Sequence, residues 1–133
     1  MKSRSVVLLS LVAGSFCLAG SAGLTPIGHA CAAQAQLSYS EDIAPIFRGW
    51  CSSCHQPGGE GTNASGLDLT SYAGLMKGTK FGPMVIPGKP GESNLITLVQ
   101  GQAKVRMPFE HKPLPNCLRQ NIWSWIFEGA KNN

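Results

Sequence analysis

Residues 39–50, "YSEDIAPIFRGW", place apolar Tyr39, Ile43, Ile46, Phe47 and Trp50 at the spacing of one helical face. Ser40 stands where an N-cap is expected, with Glu41 and Asp42 in the first turn. Pro45 is tolerated only near a helix start, so that first turn is expected to be irregular. A short helix is predicted over "TSYAGLMKG", residues 70–78, capped by Thr70 or Ser71 and ended by Gly78. Another is predicted over "ESNLITLVQG", residues 92–101, with Leu95, Ile96, Leu98 and Val99 inward. The last, "NCLRQNIWSWIFEGA", residues 116–130, sets Leu118, Ile122, Trp125 and Ile126 at i, i+4, i+7 and i+8 and ends at Gly129.

Between these segments the polar stretch "QPGGEGTNASG", residues 56–66, reads as plain loop, with neither the spacing nor the lysine of a phosphate cradle. Residues 79–92 hold three prolines and three glycines, and residues 102–115 three more prolines, so neither is expected to be regular. No segment shows strand alternation. The pattern predicts an all-α domain of about four short helices joined by long Pro/Gly loops. Long ordered loops in so small a domain imply something central that organises them.

Ahead of the helices, Lys2 and Arg4 precede the apolar "VVLLSLVAGSFCLAG", residues 6–20, the form of a secretory signal. The expected division is a signal peptide at 1–35 and one domain at 36–133, with cleavage after Ala35 or, as the near alternative, at Ala30-Cys31-Ala32. Export to the periplasm follows, with membrane attachment only if the signal stays uncleaved. Cys17 and Cys31 lack the preceding pattern of a lipidation site. Of 11 Lys and Arg, Lys2 and Arg4 lie in this segment; the other nine face seven Asp and Glu, a formal +2. So weak and scattered a charge is no nucleic-acid footprint.

Three cysteines remain after the signal: Cys51, Cys54 and Cys117. The first two stand in "WCSSCHQPG", residues 50–58. Cys51-x-x-Cys54-His55 has three physical uses: haem attachment, a redox dithiol, or half of a zinc site. A thioredoxin-type dithiol sits near a βαβ pattern that this chain does not offer. A zinc site from Cys51, Cys54, His111 and Cys117 leaves unexplained why a histidine directly follows the second cysteine. Haem attachment uses every part: two thiols add to the two vinyl groups as thioethers, and the adjacent histidine lies against the ring, able to ligate iron through Nε2. A covalently held apolar cofactor also supplies burial that a small domain lacks.

"YSEDIAPIFRGWCSSCH", followed in order by "SGLDLTSYAGLMKG", "VIPGKPGESNLI", "VRMP" and "WIFEGA", resembles the class I c-type cytochromes, in particular the small cytochrome c domain of planctomycete type. The resemblance covers residues 39–130 and implies a cytochrome c-like fold wrapped around one haem c, with a methionine as sixth iron ligand. The family's Met-Pro element falls on Met107-Pro108. The chain departs from the family at the start of the last helix, where Pro115, Asn116 and Cys117 replace a small or acidic cap and charged residues.

Taken on its own residues, Met107 lies in a loop fixed by Pro108 and is the first candidate for the sixth position. His111 is the rival and would make a bis-histidine haem; Met84 suits the pocket wall, and Met76 a helix core. Trp50, Trp123, Trp125, Phe81 and Phe109 are candidates for the pocket lining, and Arg48, Lys104 and Arg106 for the propionates. Cys117 reads as an incidental surface thiol. The expected function is one-electron transfer between redox partner proteins, without nucleic acid and without a general acid, base or nucleophile. The alternatives are a haem enzyme or ligand sensor with an open sixth position, and a Cys/His zinc-binding structural domain.

Overall fold

A computed structural model describes residues 36–133; the expected signal segment and cleavage sites, with Cys17 and Cys31, lie outside the described residues. Five α-helices follow one another: α1 (Ala44–Trp50), α2 (Glu60–Ser65), α3 (Tyr72–Lys77), α4 (Asn94–Val99) and α5 (Asn116–Phe127). The described residues contain no strand, only an isolated bridge between Thr79 and Gly82. The all-α expectation holds. No helix among the described residues is long and apolar enough to cross a membrane.

The irregular start expected from Pro45 is a π-helical turn, Tyr39–Ile43, running directly into α1 with Pro45 in its first turn. Its cap is Ser38 rather than Ser40. The Ser38 hydroxyl accepts from Glu41 N–H at 3.3 Å while Ser38 N–H donates to the Asp42 carboxylate at 2.8 Å, a reciprocal pair. Ser40 caps no backbone N–H; its hydroxyl donates to the Asn133 carbonyl at 3.0 Å, beside that of Ser38 at 2.9 Å. Ser71 caps α3, accepting from Gly74 N–H at 3.0 Å, and Gly78 follows its last residue, as the sequence predicts.

The segment read as plain loop is corrected: it contains α2, which stops at Gly66 in the left-handed region, φ 83°. A helix so short is not self-supporting. Anchors outside it hold it: Thr62 N–H donates to Cys54 O at 3.2 Å, and Lys80 N–H to Ser65 O at 2.9 Å.

Leu95, Ile96 and Val99 of α4 are buried and Leu98 half-buried. Ser93, fully buried just before α4, faces away from the helix; its hydroxyl donates to Lys89 O at 2.9 Å and accepts from Ile86 N–H at 2.9 Å, pinning the Pro/Gly loop to the core. Helix α5 begins directly after Pro115 and buries Ile122, Trp125 and Ile126. Around Trp125 the core is aromatic: Tyr39 and Tyr72 meet edge to face at 5.1 Å, and Tyr39 lies 5.6 Å from Trp125. The polar tips of Tyr72 and Trp125 are satisfied, Tyr72 Oη by Ala130 O and Trp125 Nε1 by Lys131 O, each at 2.9 Å.

Candidate functional site

Helix α1 delivers its end into Cys51, whose N–H still bonds back to Phe47 O at 2.9 Å. The next turn is tight, with His55 N–H donating to Cys51 O at 2.9 Å, so the two thiols and the imidazole are presented from one loop. Leu69 N–H donates to His55 O at 2.8 Å and ties that loop to the chain entering α3.

The loop opens onto a cavity of about 560 Å³ whose walls include Cys51, Cys54, His55, Leu67, Leu69, Met84, Leu95, Leu98, Val99, Met107 and His111. This size suits a small-molecule cofactor. Trp50, Phe81 and Phe109 line it and remain exposed, Phe81 to 80%. Met107 is half-buried, its N–H donating to Leu98 O at 3.0 Å and its peptide bond to Pro108 cis. One cavity therefore gathers the Cys-x-x-Cys-His loop with both candidates for the sixth position, Met107 and His111, and with Met84.

Other candidates lie elsewhere. Trp125 belongs to the core, and Trp123 stacks on Phe127 at 5.3 Å along α5. Met76 packs against the core outside the cavity wall. Arg48, Lys104 and Arg106 are exposed and absent from the wall; the Arg106 guanidinium donates to His111 O at 2.9 Å. Cys117 is the second residue of α5, half-buried and outside the cavity, and among the described residues no group of three or more His, Cys, Asp or Glu is gathered to hold a metal ion.

Burial pushes the Cys51 thiol up to about 12, with Cys54 adding to the rise. An attacking thiol of a redox dithiol needs the opposite shift, toward thiolate. Burial also holds His55 below its ordinary value, against the Leu67 carbonyl, whose hydrogen bond favours the charged ring. The His55 ring is therefore neutral at pH 7. Its Nδ1 lies 3.4 Å from Leu67 O, which assigns the proton to Nδ1 and leaves the Nε2 lone pair free for a metal.

Sequence reasoning missed the residues that place this ring. A Cβ on Gly61 would come within 2.7–2.9 Å of Cε1, Nε2 and Nδ1 of His55, so only glycine leaves room there. Inside "GGEGTN" this glycine carries no signal distinguishing it from loop punctuation.

Residues 51–110 match the family model described as Planctomycete cytochrome C. The match starts at Cys51, the first cysteine of the Cys-x-x-Cys-His motif, and runs past Met107, agreeing with the resemblance read from the motifs. No curated protein and no solved structure matches the chain. A cytochrome c domain implies a haem cofactor and fits an electron carrier rather than an enzyme. The residues present fit that group: an apolar cavity, two thiols and a neutral imidazole with a free nitrogen, with a thioether on the same wall.

Proposed function

We propose that this protein is an exported monohaem c-type cytochrome that carries single electrons between partner proteins in the periplasm. In this reading Cys51 and Cys54 anchor the haem as thioethers, His55 ligates the iron through Nε2, and Met107 supplies the sixth ligand. The observation that carries it is the convergence of these four side chains on one apolar cavity. The haem supplies the one-electron Fe(III)/Fe(II) couple.

The chain's own contribution is anchoring, ligand choice and exclusion of water. Met107 offers a soft, neutral thioether that favours Fe(II) over Fe(III) relative to an imidazole. Leu67, Leu69, Leu95, Leu98 and Val99 wall the cavity with apolar surface, which disfavours added charge on the metal. Export is supported by the signal-like residues 1–35, and N-terminal sequencing of the mature protein tests it.

The deciding experiment is an absorption spectrum of protein expressed with haem-maturation machinery, oxidised and reduced. The expected result is a covalent-haem spectrum with the weak far-red band of methionine ligation, which Met107→Ala removes. A covalent-haem spectrum without that band in the parent protein moves the sixth position to His111 or leaves it open. Carbon monoxide binding to the native reduced protein supports a sensor or enzyme with an open position, and a protein without haem sinks the reading.

A further inference from the structure

The Leu67 carbonyl that faces His55 serves two donors. The Thr62 hydroxyl donates to it at 2.7 Å, and His55 Nδ1 lies 3.4 Å from the same oxygen. The first is a full-strength O–H···O bond; the second exceeds the usual N–H···O range. Thr62 is held in place independently, since its N–H donates to Cys54 O at 3.2 Å from within α2. A carbonyl has two lone pairs and accepts both donors, but the nearer one polarises it and leaves less density for the farther.

We propose that Thr62 is a positioning residue for the axial histidine: by occupying the Leu67 carbonyl, its hydroxyl keeps the His55 Nδ1–H hydrogen bond weak and so sets the reduction potential of the haem iron. The proposal rests on His55 being an iron ligand. A strong hydrogen bond from Nδ1–H makes the imidazole a more basic, more electron-donating ligand, which favours Fe(III). Weakening that bond does the reverse. The couple concerned is Fe(III) plus one electron giving Fe(II), the electron coming from a redox mediator in the titration and no proton being transferred.

The Thr62 hydroxyl comes from α2, the helix that sequence reasoning left as loop. Thr62→Val replaces the hydroxyl by a methyl of similar size and keeps the β-branched shape; Thr62→Ala removes both; Thr62→Ser keeps the hydroxyl.

The test is a spectroelectrochemical titration of the parent holoprotein and these three variants, with the nitrogen-15 shift of His55 Nδ1 recorded in the reduced state. The expected result is a lower potential in T62V and T62A than in the parent, a potential unchanged in T62S, and an Nδ1 shift toward the imidazolate side in the two variants without the hydroxyl. An unchanged or raised potential in T62V and T62A, with the parent's absorption spectrum retained, overturns the proposal and leaves the electron-carrier reading intact. If T62V and T62A take up no haem while T62S does, the hydroxyl holds the loop rather than tuning the ring, and the proposal fails. A parent protein in which His55 is not on the iron overturns both.

Discussion

Around Trp125 the chain closes on itself, whereas around His55 it turns apolar side chains toward a cavity. Tyr39, Ile43, Phe47, Leu75, Ile122, Trp125 and Ile126 bury one another with almost nothing left exposed. Backbone from the two sequence-distant ends of the described domain is tied across this side, Leu37 N–H to the Glu128 carboxylate at 2.9 Å and Tyr39 N–H to Asn133 Oδ1 at 3.0 Å. On the other side Phe81 and Phe109 line a cavity and stay more than half exposed. The chain can stabilise the first region with its own atoms; the second lacks contact partners for its inner wall.

The largest expected effect is therefore at Trp125. Trp125→Ala removes a fully buried ring together with its bond to Lys131 O and should cost about 3–5 kcal/mol whether or not haem is bound. Leu98→Ala, on the half-open wall, should cost little in the haem-free protein and clearly more in the holoprotein, where the same side chain has a partner. Paired denaturant unfolding of apo- and holoprotein measures both. Equal costs for Leu98→Ala in the two forms would remove the contrast between the regions.

Gly61→Ala separates the regions differently. The added methyl meets three atoms of the His55 ring, so it should displace the imidazole and reduce haem loading or His ligation severalfold, while the Trp125 core is untouched. Pyridine-haemochrome quantification against near-UV circular dichroism reads the two separately. Normal loading with a parent-like spectrum would show that the loop bearing His55 yields more readily than its packing suggests.

The closed region was the more legible in the sequence. Its helices carry apolar periodicity long enough to read, as in α5, and conventional caps, as at Ser71 and Gly78. Even there the cap of the first turn was misplaced, because Ser38 and Ser40 are chemically equivalent: both hydroxyls donate to the Asn133 carbonyl, and only Ser38 also accepts from Glu41 N–H. On the cavity side the Cys-x-x-Cys-His motif was legible and the scaffold was not. The proposed attachment of haem would bind Cys51, Cys54 and His55 to a fixed spacing, which a sequence displays directly. Helix α2 has no apolar face, because it buries no residue of its own and exists through bonds to Cys54, Leu67 and Lys80 from outside its span. Long-range hydrogen bonds leave no periodicity to find. Gly61 and Thr62 went unread for that reason.

The smallest effect expected concerns Tyr39, at the centre of the closed region. Burial raises its phenol above the ordinary value, the nearby Arg48 charge opposing and Tyr72 and Asp68 adding to the rise. Below a pH of about 10 the phenol is neutral folded and unfolded, and contributes no pH dependence. Above it the unfolded chain ionises Tyr39 first, so the unfolded state binds fewer protons than the folded one and stability falls as pH rises, until the folded-state value is passed. Tyr39→Phe keeps the edge-to-face contact with Tyr72 and removes the ionisation. Its stability near neutral pH should match the parent closely, and its midpoint of unfolding should fall less steeply between roughly pH 9.5 and 11. Parallel slopes for parent and variant over that window would mean that the Tyr39 phenol ionises as readily in the folded protein as in the unfolded chain, and the region around Trp125 would then be more open to water than its packing implies.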